Sequence, residues 1–494
     1  MKQNISRRTW LATAVAGACL SGCGAIGPDY FRPAVPDMPV NWKTAPDWAL
    51  AQPADAQPKL DWWTVFGDLR LNQLEEAALA GNFTLQLAVA RMDQANATLQ
   101  SHEAALYPRV ELDPAATRAR TSANRPVANP GSVNGSTVQN DFKPLLAASY
   151  EIDLVGRVRR DVESTRASAQ QSQADRENVR LVLTAQVAAS YFQLCQLDEE
   201  IRIVAAATEA QDKALEAIKK RYASGASGQS DVLQQTALSL SNKAQLDLLK
   251  TQRNIQEDNL ATLTGAPAAA FRIEPGSLPQ TVPQVPVTLP GALLQRRPDV
   301  ASAERAMAAA NAQIGVAKAA FYPIFNLGAT FFGAEATTLA KLASASSILW
   351  SFGIAAAQTI FDGGRAKAGV LFAEAGYRGS VASYRQTVLV AIQESQDALS
   401  NLTLLDSANL KQSEAVDNQN KSLQVSLRRY QGGLDNIIAL TLVQQNQLAA
   451  QRVQSQIRGS QFVTTVSLIK ALGGGFTAPA WNATSKDAPA PAKG

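Results

Sequence analysis

A single histidine, His102, serves the whole 494-residue chain, so histidine triads, His-rich metal sites and most histidine-based acid–base schemes are out of reach. Of the three cysteines, Cys19 and Cys23 fall in an N-terminal leader, and Cys195 alone lies in the body of the chain, so there is no disulfide framework. Cys195, between Leu194 and Leu197, reads as a small apolar filler, and His102, near a helix end, as a surface or packing residue. The sequence holds no Gly-x-x-x-x-Gly-Lys-Ser/Thr phosphate loop. Its nearest fragment, Asp362-Gly363-Gly364-Arg365, lacks the spacing and stands at a strand-to-helix turn. Asp153 and Asp362 therefore read as helix caps, with glycine permitting the bend. Gly473-Gly474-Gly475 closes a helix and is followed by none, which suits a C-cap and not a phosphate cradle. The expectation is a protein that is no enzyme, with no metal and no cofactor beyond a covalent lipid.

That lipid would sit on Cys23. Lys2, Arg7 and Arg8 form a positive n-region ahead of the apolar run Trp10 to Leu20, too short to span a bilayer. Leu20-Ser21-Gly22-Cys23 resembles the bacterial lipobox, in which the cysteine carries N-palmitoyl and S-diacylglycerol groups and becomes the first mature residue. Gly24 in place of aspartate resembles the signal for the outer membrane. A proline-punctuated strap follows to residue 60, and residues 476–494 read as a disordered tail. With 46 basic against 42 acidic residues the net charge is +4, which builds no basic stripe for nucleic acid. Hydrophobic residues at 46% supply a large core.

The elements between these ends occur twice. Gly156-Arg157 matches Gly364-Arg365, Arg221-Tyr222 matches Arg429-Tyr430, Gly225 matches Gly433, and Leu263-Thr264-Gly265 aligns with Ala471-Leu472-Gly473, all at one offset. Tyr107-Pro108 pairs with Tyr322-Pro323 at an offset seven residues longer. The chain thus divides into a signal (1–22), strap (23–60), first repeat (61–265), linker (266–290), second repeat (291–475) and tail (476–494). Each copy reads as a helix (Leu74 to Leu106; Val300 to Phe321), then two strands, then a helical hairpin. The strands lie within 107–154 and 322–361, joined in copy one by the polar loop Thr121 to Asp141. Ile324, Asn326, Gly328 and Thr330 alternate with Phe325, Leu327, Ala329 and Phe331, as a strand with one polar and one apolar face requires. The hairpins run Arg157 to Tyr222 with Asp231 to Leu263, and Arg365 to Tyr430 with Asn436 to Leu472; their first arms would each be about 100 Å long at 1.5 Å per residue.

Four amphipathic strands leave open edges, which lipid does not tolerate, and closure takes at least about eight strands. Several chains must therefore share one barrel.

Leu294-Gln295-Arg296-Arg297-Pro298-Asp299-Val300, Ala303-Glu304, Ala309 to Gly315 and Phe321-Tyr322-Pro323 resemble the signature of TolC-like outer-membrane efflux proteins, nearest to their NodT-type lipoprotein branch. Tyr150 to Arg157, Ile360 to Arg365, and Cys23 with Gly27-Pro28-Asp29-Tyr30 are similar to further landmarks. The resemblance implies an α+β membrane protein: a homotrimer with a twelve-stranded barrel, four strands per chain, on a long periplasmic α-helical tunnel. It implies outer-membrane lipid, a periplasmic adaptor and an inner-membrane pump of RND, MFS or ABC type as partners, and passive export of drugs or toxic compounds. It places the adaptor-contacting tips at Tyr222, Gly225 and Asp231 and at Tyr430, Gly433 and Asp435, and a gate at Ile438, Leu442 and Gln445. Where family members often carry an aspartate and an arginine, this chain has Leu442 and Gln445; an acidic ring from Asp231 or Asp435 would favour cationic passengers. A free-standing porin and a periplasm-spanning structural lipoprotein are the alternatives.

Overall fold

The computed structural model describes residues 24–31, 42, 61–124, 136–283, 285 and 297–474. Cys19, Cys23, Gly475, most of the strap and the tail lie outside them. The elements are α1 (Leu69–Gly81), α2 (Phe83–Glu103), β1 (Arg109–Arg120), β2 (Val138–Ile152), α3 (Arg157–Ala223) and α4 (Gln229–Leu263) in the first copy. The second copy has α5 (Pro298–Ala319), β3 (Ile324–Ala334), β4 (Ile348–Ala357), α6 (Arg365–Gln431) and α7 (Ile437–Ala471). The helices α3 and α6 are 67 residues each, and α4 and α7 are 35 each, so the repeat seen in sequence is kept to the residue.

One expected helix is two. Leu74 to Leu106 breaks at Asn82, whose ψ of 121° is extended. Its Oδ1 accepts from Leu85 N at 2.9 Å, capping α2, while its Nδ2 donates to Leu263 O at 2.9 Å. A short 3-10 turn, Ala104–Leu106, completes the approach to β1.

The chain packs as two compact units, each drawn from both copies. Unit 1 comprises Met1–Pro33, Met92–Gln171 and Glu304–Ser383 and holds a sheet of order β1-β2-β3-β4, antiparallel throughout. Register sorts its side chains by polarity. One face carries the rows Leu112-Leu146-Phe332, Val110-Ala148-Ala329-Phe352, Tyr150-Leu327-Ile354 and Ile152-Phe325-Ala356. The other carries Glu111-Ala147-Thr330-Ser351, Arg109-Ser149-Gly328-Gly353 and Glu151-Asn326-Ala355. The alternation read from sequence runs as far as Thr330; there a bulge leaves Phe331 unpaired and hands its place on the apolar face to Phe332, opposite Leu146. Trp350, Phe352 and Ile354 are 76%, 72% and 63% exposed, so this face is bare in the single chain. The outer edges of β1 and β4 have no strand partner among the described residues.

Both caps read from sequence are present in unit 1. Asp362 accepts from the N–H groups of Gly364, Arg365 and Ala366 at 2.8, 3.1 and 2.7 Å, which hold its carboxyl below the usual range. Asp153 Oδ2 accepts from Arg159 N at 2.9 Å. Of the two readings of His102, surface or packing, its contact fits the second: its Nδ1 lies 2.6 Å from Asp161 Oδ2.

Unit 2 comprises Ala34–Arg91, Ser172–Ala303 and Tyr384–Gly494. Its core gathers Trp62, Phe66, Phe192 and Phe462, with Phe192 and Phe462 stacked at 4.8 Å between centroids. Trp62 Nε1 finds a buried acceptor in Thr184 Oγ1 at 3.2 Å. Tyr191 Oη donates to Asp68 Oδ2 at 2.7 Å, while Asp68 Oδ1 caps α1. Cys195 is the buried filler expected, its thiol pushed up to about 12 by burial. After α7, Gly473 N and Gly474 N donate to Lys470 O and Ile469 O, the C-cap read from the glycine run.

Candidate functional site: the hairpin tips and the two-faced sheet

The tips are built from the chain outward. After α3 the N–H of Ala226 donates to Arg221 O at 2.8 Å and that of Gly225 to Tyr222 O at 2.9 Å, a Schellman closure. After α6 the same pair recurs as Leu434 N to Arg429 O at 2.9 Å and Gly433 N to Tyr430 O at 3.1 Å. Gly225 and Gly433 have φ of +75° and +74°, the left-handed conformation this closure needs, and nothing lies within 4 Å of a Cβ on either. Their identity follows from the turn.

The returning helices start differently. Asp231, three residues inside α4, reaches back to Gly228 N at 3.3 Å and accepts from Ser227 Oγ at 2.8 Å. At the second tip Asn436 itself caps α7, accepting from Ala439 N at 2.9 Å. Asp435 is engaged by Arg429 through two bonds, Nε to Oδ2 at 2.9 Å and Nη2 to Oδ1 at 3.0 Å. Those hydrogen bonds and the arginine's charge hold the Asp435 carboxyl below its usual range. The two aspartates assigned to an acidic ring are therefore each committed locally.

The two tips touch through a residue whose sequence signal was only its place in the repeat. Arg221 donates from Nη1 to Tyr430 Oη at 3.2 Å, with its guanidinium carbon 5.8 Å from the centre of the Tyr430 ring. Tyr222, the counterpart of Tyr430 in the first copy, is 47% exposed. Beneath the tips lies a polar layer that composition alone does not reveal. Gln235 Nε2 donates to Gln211 O at 3.4 Å, Asn242 Nδ2 to Gln211 Oε1 at 2.6 Å, and Thr441 Oγ1 to Gln235 Oε1 at 3.5 Å. Of the three gate positions, Ile438 and Leu442 stand exposed one turn apart on α7, whereas Gln445 Nε2 is buried and has no partner among the described residues.

Among the described residues no helix is long and apolar enough to cross a membrane. The surface suited to lipid is the bare apolar face of an open-edged sheet, and the second feature is a pair of equal helical hairpins with capped, touching tips. Together these are the features of an outer-membrane channel protein. The chain belongs to the outer membrane efflux protein family, whose profile matches residues 74–266 and 289–474.

A relative, the pyoverdine export outer membrane protein OpmQ of Pseudomonas putida, is 32% identical over 441 residues, covering 89% of this chain and 92% of its own. The probable efflux pump outer membrane protein TtgC of the same species is 30% identical over 475 residues, covering 95% and 96%. Among solved structures, the outer-membrane channel OprN superposes with a TM-score of 0.83 at 27% identity, covering 91% of this chain and 99% of that one. The fold is TolC-like, and the protein is an outer-membrane channel component of an efflux system. The family and these relatives are channel components and not enzymes.

Proposed function

We propose that three copies of this chain close their sheets edge to edge into one twelve-stranded barrel, and that their helical hairpins form a periplasmic tunnel. The observation that carries this reading is the sheet: an apolar face bare to its surroundings, a polar face fit to line water, and two edges that lipid would not tolerate open. In this reading Cys23 carries the lipid anchor. A periplasmic adaptor and an energised inner-membrane pump engage the tips, and small toxic molecules leave passively through the duct.

Opening follows from the tips. The Arg221–Tyr430 contact joins the hairpins of the two copies, so an adaptor that moves the second hairpin outward must break it. Ile438 and Leu442, exposed one turn apart on the same helix, serve as an apolar constriction in place of a charged one. The test is dye and drug accumulation in cells lacking the gene, complemented with wild type or with Gly225 and Gly433 replaced by bulky residues. Accumulation should rise on deletion, and wild type alone should restore export. Unchanged accumulation together with a leaking envelope would withdraw the efflux role in favour of a structural spacer.

A further inference from the structure

The N-terminal segment is gripped far more closely than a tether requires. Arg160, its side chain 6% exposed, donates from Nε to Ile26 O at 3.2 Å and from Nη2 to Ala25 O, Gly27 O and Asp29 Oδ1 at 3.5, 3.4 and 2.7 Å. Its Nη1 is held from the other side by Glu163 Oε2 at 2.8 Å. Ile26 N donates to Val155 O at 2.9 Å, and Asn311 Nδ2 to Pro28 O at 2.9 Å. The walls of this groove are shaped for bare backbone. A Cβ on Gly27 would meet Gly315 Cα at 2.5 Å, one on Gly315 would meet Ile26 O at 2.6 Å, and one on Gly156 would meet the Ala25 side chain at 2.4 Å. All of these residues belong to unit 1, and nothing in the duct mechanism uses them.

The position of the groove is as informative as its fit. Val155 lies between the end of β2 at Ile152 and the start of α3 at Arg157. By register that end of β2 meets the start of β3, which in turn meets the end of β4, so the groove lies at the rim where strands pass into helices. The segment it grips begins at Gly24, directly after Cys23. If residues 24–60 were a free tether, the lipid would wander roughly 30–35 Å from the fold, about the thickness of a bilayer core. A seated segment shortens that leash to about one residue and raises the effective concentration of the sheet at the membrane surface accordingly.

We infer that the groove of Gly156, Arg160, Asn311 and Gly315 is a docking surface for the chain's own processed N-terminus, and that seating residues 25–29 in it delivers the lipidated residue to the helix-side rim of the sheet and so promotes assembly in the membrane. This rests on the reading that Cys23 is lipidated.

The test uses the full chain in cells, with two variants: residues 25–29 replaced by a Gly/Ser stretch of equal length, leaving Cys23 and Gly24 in place, and Arg160→Met. An alkyne fatty acid reports lipidation, heat-resistant oligomer in the outer-membrane fraction reports assembly, and circular dichroism of the purified proteins reports the helices. Both variants should take up the fatty acid and keep the wild-type helical melting point within a few degrees, while their heat-resistant oligomer falls about tenfold. Wild-type oligomer levels in the strap-replaced variant would overturn the inference, because the groove would then be packing without consequence for assembly. A parallel loss of helix stability would overturn it too, since the groove would then be holding the fold and not the anchor. Failure of the wild-type chain to take up the fatty acid would remove the lipid reading, and the inference with it, whatever the oligomer yields.

Discussion

Arg429 sets the charge of the second tip. With its guanidinium on both oxygens of Asp435, the turn carries a neutral pair, although the aspartate count alone suggests an acidic tip. Arg429→Ala should free Asp435 and raise cation over anion permeability in single-channel recordings by about two- to threefold, whereas Asp435→Asn should leave Arg429 uncompensated and shift selectivity the other way, toward anions. A rise in anion permeability on Arg429→Ala would show that the pair does not control selectivity. Glu75 makes a different prediction. It is fully buried on α1, neither carboxyl oxygen has a partner among the described residues, and burial raises its pKa from 4.5 to about 9. A raised folded-state pKa means that the protonated form stabilises the fold. That contribution is complete below about pH 4.5 and is lost as pH rises towards 9. Between pH 4.5 and 7 the loss should be roughly 3 kcal/mol, and Glu75→Gln should flatten it in melts followed across that range. Residue roles set by local spacing were legible in the sequence, as Asp362 ahead of its helix and Cys195 between leucines show. The Arg221–Tyr430 contact and the burial of Glu75 were not, because each depends on which helices become neighbours, and no spacing along one helix encodes that.

Turns and strands carry the next scale. Gly433 and Gly265 both adopt positive φ after a helix, at +74° and +75°, yet their surroundings differ. A Cβ at Gly433 meets nothing, so Gly433→Ala should cost only the left-handed penalty, about 1 kcal/mol. At Gly265 the same Cβ would stand 2.2 Å from Gly81 O, and the backbone must shift, so Gly265→Ala should cost on the order of 3–4 kcal/mol. Thermal melts of the two variants check this, and equal costs would mean that the close approach relaxes freely. Neighbouring positions on β4 separate the sheet faces in the same way. Phe352→Lys puts a charge on the apolar face and should cost about 2–4 kcal/mol of membrane stability, with loss of heat-resistant oligomer. Ser351→Lys, one residue away on the polar face, should assemble normally. Strand alternation was legible because a period of two leaves a direct mark on polarity. The bulge at Phe331 was not, since two adjacent phenylalanines look alike until register decides which one is extra. The break at Asn82 did leave a mark, a Gly-Asn pair inside an apolar helix pattern, but the cause lies partly in Leu263, far along the chain.

At the scale of the molecule, the shared barrel proposed above follows from the strand number, because four strands cannot close on themselves in lipid. The packing units could not be read in the same way. Each mixes segments of both copies, since neighbours in space are assigned by helix pairing and not by order along the chain. The equality of the copies has a further meaning. Two stretches that began as one have kept identical helix lengths of 67 and 35 residues, while their caps have exchanged chemistry, an aspartate inside α4 against an asparagine ahead of α7. Side chains have been free to drift, whereas residue count has not. From the Tyr-Pro pair to the end of the helical hairpin the copies differ in length by seven residues, and all seven fall in the β-hairpin region, between the Tyr-Pro and Gly-Arg landmarks. Descent has thus used the helices as a ruler: a single inserted residue would turn everything beyond it by about 100° and lift one tip out of step with the other. Natural variation in this lineage should therefore write its insertions into the loops between strands and spare the helical arms, so that the history of the protein is recorded in the loops and its dimensions in the arms.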